Sequence, residues 1–164
     1  MSSPPIFLLD QDFPTSLLLH ISFPDAIIKP LRDVHPDLVR NHEDWEVLRE
    51  LKVRGAVDGL ITLDVNMLNL PKEMVVLHQS RLSLVVFEGI DNDPTVATGL
   101  LMIHLPTIAR QHNPAIPQLW RLHRPVTKPP ANPWEQIILL AARANEDPDK
   151  LARQHRLPSR TFLR

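Results

Sequence analysis

Short, predominantly apolar runs recur along this chain and constrain its fold more than any other feature: Ile6-Phe7-Leu8-Leu9, Gly59-Leu60-Ile61-Thr62-Leu63 and Leu82-Ser83-Leu84-Val85-Val86-Phe87. A strand that is apolar on both faces must be covered on both, which a parallel sheet flanked by helices achieves. The segments between these runs read as helices. From Asp44 to Arg54, Trp45, Val47, Leu48, Leu51 and Val53 alternate with Glu46, Arg49, Glu50 and Lys52 as an amphipathic helix requires, and Gly55 supplies the stop. Pro71 to about Gln79 reads as a second helix, and Asp93-Pro94 caps and opens a third that runs to about Gln111 with Val96, Leu100, Ile103 and Thr107 on one stripe. This alternation predicts an α/β fold with a mainly parallel sheet.

The remaining segments are less regular. Asp10 to Pro14 reads as a turn, and Thr15 to Leu19 as a short helix start. Ala26 to Leu31 is a candidate edge strand because Pro30 lacks the donor a central strand needs, and Val34 to Asn41 reads as a loop. Gln118 to His123 is the expected last strand, placing the end of the main domain, residues 6–124, at that point. Residues 125–131 are a proline-rich connector, and residues 132–164 form a helical extension. In it, Asn132-Pro133 opens one helix with Trp134, Ile137, Ile138 and Ala141 on its apolar side, and a basic helix runs from Pro148 to about Arg156. Neither buries its apolar face alone, so both pack on the domain or on another chain.

With 43% hydrophobic residues, 164 residues supply one ordinary core and an appendage. No apolar run approaches the roughly 18 residues of a membrane span, and Met1-Ser2-Ser3-Pro4-Pro5 lacks the basic and apolar regions of a signal peptide. A cytoplasmic protein without a membrane partner is expected. The absence of cysteine removes disulfides, thiolate metal sites and thiol nucleophiles, and four glycines leave neither a phosphate-cradling loop nor a dinucleotide fingerprint. The formal net charge of −1 conceals an asymmetry: residues 1–109 carry 8 Lys/Arg against 15 Asp/Glu, and residues 110–164 carry 10 against 4. Such a basic segment reads as complementing the acidic half of its own chain or of a partner, since nothing in it repeats or stacks aromatics as single-strand binders do, with phosphate contact as the alternative.

Three acids stand at the ends of these elements: Asp10 and Asp64 after strands, Asp44 at the start of a helix. Each has an ordinary structural role open to it, as a turn residue, a helix cap or a first-turn acid favoured by the macrodipole. Taken together, apolar runs ending in carboxylates gather acids at one sheet edge, where an oxygen-preferring dication fits. The histidines do not form a ligand spacing: His35 and His42 fall in a loop, and His104 and His112 lie across a helix end. Asp91-Asn92-Asp93 reads as a turn and cap. Arg110, Arg121 and Arg124 read as a solvated face, with phosphate contact as the alternative.

The segments Phe7-Leu8-Leu9-Asp10-Gln11-Asp12-Phe13-Pro14, Asp44-Trp45-Glu46-Val47-Leu48 and Gly59-Leu60-Ile61-Thr62-Leu63-Asp64-Val65-Asn66 together resemble, in order and spacing, the PIN-like domain family. The resemblance covers roughly residues 6 to 124. It implies a three-layer α/β/α fold around a four- to five-stranded sheet and a Mg²⁺- or Mn²⁺-dependent nuclease, in many members an RNA-cleaving toxin paired with an antitoxin protein. It further implies Asp10, Asp44 and Asp64 as catalytic metal ligands with Asp12 beside them; a homodimer is a further expectation. Asn66 stands where short PIN-like sequences commonly place another aspartate; its amide offers an oxygen but no charge. A weak or inactive module that binds a protein or nucleic acid is the alternative reading.

Overall fold

A computed structural model of the chain describes residues 3–16, 18, 21–40, 42–90, 93–123 and 128–163. Its centre is a five-stranded, wholly parallel sheet of β1 (Ile6–Leu9), β2 (Ile27–Pro30), β3 (Gly59–Thr62), β4 (Ser83–Phe87) and β5 (Gln118–Leu122), in the order β2-β1-β3-β4-β5. Six α-helices accompany it: α1 (Leu31–Val34), α2 (Asp44–Arg54), α3 (Pro71–Ser80), α4 (Pro94–Gln111), α5 (Pro133–Ala144) and α6 (Pro148–His155). The parallel sheet, its edge strand carrying Pro30 and the three-layer arrangement agree with the sequence-based expectation.

The period of two along each strand divides the core into two. Leu8, Leu60, Leu84, Val86 and Leu119 face one side and pack with α2, α3, α5 and α6. Phe7, Leu9, Ile61, Val85, Phe87, Trp120 and Leu122 face the other and pack with α4 and the segment carrying Phe13, Leu18 and Ala26. Both faces of β3 and β4 are buried throughout, which explains their lack of polar alternation.

Three expectations change. Among the described residues of 15–19 there is no helix; the chain turns there, with Leu18 N–H donating to Thr15 C=O at 3.0 Å, and Leu17 and Leu19 lie outside the described residues. The segment after β2 is more regular than a loop, forming α1 and a 3-10 turn at Pro36–Val39, while Asn41 lies outside the described residues. Helix α4 buries Ala97, Leu101, Leu105 and Ile108 and leaves Val96 and Ile103 exposed, so the expected stripe is rotated. The reason is that α4 is apolar nearly all round, so periodicity alone does not choose its buried face. Similarly, α5 buries Ile137, Leu140 and Ala141 but exposes Ile138.

The C-terminal helices pack back on the domain. Gln136 Nε2 donates to Leu68 C=O at 2.8 Å, and the Gln79 amide holds both the N–H and the C=O of Leu157, at 3.0 and 2.9 Å. Ala131 forms an antiparallel bridge with Leu119; Arg124 and residues 125–127 of the connector lie outside the described residues. No helix among the described residues is long and apolar enough to cross a membrane.

Candidate metal-binding acid cluster

In the sheet order β2-β1-β3-β4-β5 the direction of winding reverses between β1 and β3, and an open parallel sheet forms its crevice at the carboxyl ends of such a pair. Leu9 is in register with Ile61, so Asp10 emerges beside Thr62, with Asp64 two residues beyond. Helices α2 and α3 run back from this edge and direct their N-termini toward it, which brings Asp44 and Glu73, both in first turns, to the same place. A carboxylate at a helix N-terminus gains roughly 0.3–1 kcal/mol from the dipole.

Thr62 is fully buried and organises the edge. Its hydroxyl donates to Asp10 Oδ2 at 3.0 Å, lies 3.3 Å from Asp12 Oδ2 and accepts the Asp64 N–H at 3.0 Å. One hydroxyl proton serves one carboxylate at a time, and the shorter contact assigns it to Asp10. Asp12 accepts instead the Leu63 N–H at 3.2 Å, and Asp10 Oδ1 accepts the Gln11 N–H at 2.7 Å.

The electrostatics of these acids are mutual. Desolvation raises the Asp10 carboxyl, helped by the Asp64 charge and opposed by its hydrogen bonds. Asp12 is raised to about 6 by desolvation and the charges of Asp10 and Asp64, and Asp44 to about 6 by desolvation and the charges of Asp10, Asp64, Glu73 and Glu43. Glu73 is raised by burial first, then by Glu43 and Asp64. No ion pair with a described Lys, Arg or His relieves Asp10, Asp12, Asp44, Asp64 or Glu73.

Asp10, Asp12, Asp44 and Asp64 thus share one electrostatic field, as their order in the sequence anticipates. Asn66 stands apart in exposure, and its backbone N–H takes Asp64 Oδ1 at 2.8 Å. Glu73 and Thr62 escaped sequence reasoning. The available signals were an acid in a first helical turn after Pro71 and a hydroxyl residue inside an otherwise apolar strand, both of which have common structural explanations.

The donors fit a hard dication in kind: they are ionisable oxygens, and none forms an ion pair with a described residue, although the Lys72 charge acts on Glu73 from alongside. As placed, no three or more His, Asp or Glu among the described residues form a ready-made ligand group. Mg²⁺ keeps several of its waters and needs only one or two direct carboxylates, so a spread cluster suits it better than a closed cage would.

The other candidates have structural partners. Asp93 Oδ1 accepts the N–H groups of Thr95 and Val96, a helix cap, while Asp91 and Asn92 lie outside the described residues. Arg121 forms a two-pronged pair with Glu88 at 2.6 and 3.1 Å, and Arg110 donates to Thr107. His42 contacts the Arg40 carbonyl and His35 the Arg54 guanidinium. At the opposite edge Ser83 Oγ lies 3.1 Å from His112 Nδ1, and His112 Nε2 lies 3.2 Å from Asp58 Oδ1. This arrangement has the composition of a hydrolase triad, but Ser83 is wholly buried and its hydroxyl also donates to Gln118. It ties the starts of β3 and β4 to the end of α4.

No protein family, curated protein or solved structure matches this chain.

Proposed function

We propose that the protein is a PIN-like, Mg²⁺- or Mn²⁺-dependent nuclease that cleaves RNA, of the kind paired with an antitoxin protein. The observation that carries this reading is the convergence of Asp10, Asp12, Asp44 and Asp64, joined by Glu73, at the carboxyl edge of the β1/β3 switch, with no ion pair to a described residue. Acids held partly out of water beside one another are costly to a fold, and a bound dication offsets that cost.

Asp10, Asp44 and Asp64 would hold the ion, with Asp12 and Glu73 beside them. When bound, such an ion supplies a nucleophilic water at neutral pH and relieves charge on the phosphate oxygens. The chain's own contribution is positional: the Thr62 hydroxyl fixes the Asp10 carboxylate, and the N-termini of α2 and α3 keep their acids aimed at the edge.

Incubating the purified chain with RNA and Mn²⁺ or Mg²⁺ tests this. Cleavage that disappears in Asp10→Asn and in chelator is the expected result, and cleavage unchanged in Asp10→Asn would overturn the assignment.

One observation favours a second reading, a weak or inactive PIN-like module that binds a protein or nucleic acid. Asp64 Oδ1 is occupied by the Asn66 N–H, and Asn66 adds no charge. Calorimetric titration with Mn²⁺ separates the two, since heat absent from a folded chain supports this alternative.

A further inference from the structure

Where α6 returns to the domain it closes a groove remote from the acid edge. Helices α3, α5 and α6 and the 3-10 turn Ser159–Phe162 line a cavity of about 870 Å³. Its wall carries Lys52 near the end of α2, Arg81 just past α3, and Arg153 and Arg156 at the end of α6, against one lining acid, Asp149. None of these four cations makes a hydrogen bond or ion pair with another described residue; Lys52 acts only at longer range on Asp58. Lys128, Lys150 and Arg160 are likewise without ion pairs among the described residues, whereas Arg121 of the same basic segment pairs with Glu88 of the acidic half.

The groove is built rather than incidental. The Gln79 amide clamps both backbone groups of Leu157, fixing the chain next to Arg156 against α3. Trp134 and Phe162 contribute rings to the wall, the Trp134 ring lying 5.6 Å from that of His78. Burial and the Arg156 charge lower the His78 pKa, and burial and the Lys72 charge lower that of His155. Both imidazoles therefore favour the neutral form while positive charge remains concentrated on the arginines and lysines.

Positive charge also continues toward the acid edge. Lys72 Nζ lies 4.2 Å from the centre of the Trp45 ring, and Trp45 follows Asp44. Glu73 and Arg81, which just follows α3, are eight steps apart, about 12 Å at the helical rise.

We propose that this groove binds the phosphate backbone of single-stranded RNA and aligns the strand along α3 with the acid edge. The preference for RNA over an acidic peptide rests on the nuclease reading above. Cations supply the phosphate contacts, and Trp134 and Phe162, half-buried against the core, give the groove an aromatic wall against which bases pack without sequence preference.

Fluorescence anisotropy with labelled oligouridylate, performed on the full chain in chelator, tests the proposal without any cleavage. The variants are Arg153→Gln with Arg156→Gln, and separately Lys52→Gln with Arg81→Asn, asparagine being tolerated at the left-handed backbone of residue 81 (φ 59). Each pair is expected to weaken binding about tenfold at low salt and to reduce the slope of log affinity against log salt by about 1.4, the counterion release of two phosphates. Binding is read in chelator and cleavage with Mn²⁺, so loss of binding and loss of cleavage are read separately. The proposal is overturned if the parent does not bind oligouridylate, or if both pairs, shown to be folded by circular dichroism, bind with parental affinity and slope. Binding of oligoglutamate in preference to oligouridylate overturns it in favour of an acidic protein partner.

Discussion

Asp12 shows how a single side chain registers the character of the acid edge. Its folded-state pKa, raised to about 6, exceeds the ordinary carboxylate value, so the folded protein binds more protons than the unfolded chain between those limits. Stability therefore falls as pH rises through that window, and the cost is fully present at neutral pH. Asp12→Asn keeps an oxygen for the Leu63 N–H and removes the charge. It is expected to gain about 1 kcal/mol near neutrality after discounting for solvent screening, or about 2–4 °C in Tm, and to gain little near pH 4. Thermal melts at the two pH values check this. Asp58 behaves in the opposite sense: the His112 hydrogen bond, then that from the Ile6 N–H, lower its pKa against the effect of burial. Its contribution is present above the ordinary carboxylate range and is lost as pH falls below it. Asp58→Asn should lower the denaturant midpoint at neutral pH, with the difference closing in acid; a constant difference would argue against the linkage. Nothing in the sequence distinguishes these two aspartates, since burial and neighbours are tertiary properties.

At the level of elements, local chemistry sets most boundaries. Asn132, Asp147 and Asp93 cap α5, α6 and α4 with their side chains, and prolines follow each of them. Gly55 ends α2 at φ 68, and Glu43 with Glu46 forms a capping box at its start. These signals are contiguous in sequence, which is why the boundaries of α2, α4, α5 and α6 were legible there. Gly59 carries a constraint that is not: a Cβ at this position would lie 2.4 Å from the Ser83 carbonyl oxygen and 2.8 Å from Phe7 Cδ1. Both obstacles are held in the interior of the sheet, so Gly59→Ala is expected to cost more than about 3 kcal/mol and to show as a collapse of folded yield or Tm. Gly99, inside α4 with nothing within 4 Å of its Cβ position, provides the contrast. Gly99→Ala should stabilise by roughly 0.5–1 kcal/mol in the same assay.

For the molecule as a whole, metal and fold are expected to be linked. If the acid edge holds a dication, Mn²⁺ at about 100 times its dissociation constant raises unfolding free energy by about 2.7 kcal/mol. Melts with Mn²⁺ and with chelator measure this, and Asp10→Asn should abolish the increment. Several features followed from the sequence alone: the α/β class, the parallel sheet, the edge position of β2 and the candidacy of Asp10, Asp44 and Asp64. They were legible because doubly buried strands, helix caps and prolines act through residues adjacent in the chain. Only tertiary structure decided that Glu73 and Thr62 join those acids, that α4 turns Ala97 and Leu101 inward rather than Val96 and Ile103, and that Arg153 and Arg156 of the basic tail line one groove with Lys52 and Arg81. The physical reason is common to all three. Desolvation, charge repulsion and choice of buried face depend on groups brought close by the strand order and by the return of the C-terminal helices, and these distances have no counterpart in linear spacing.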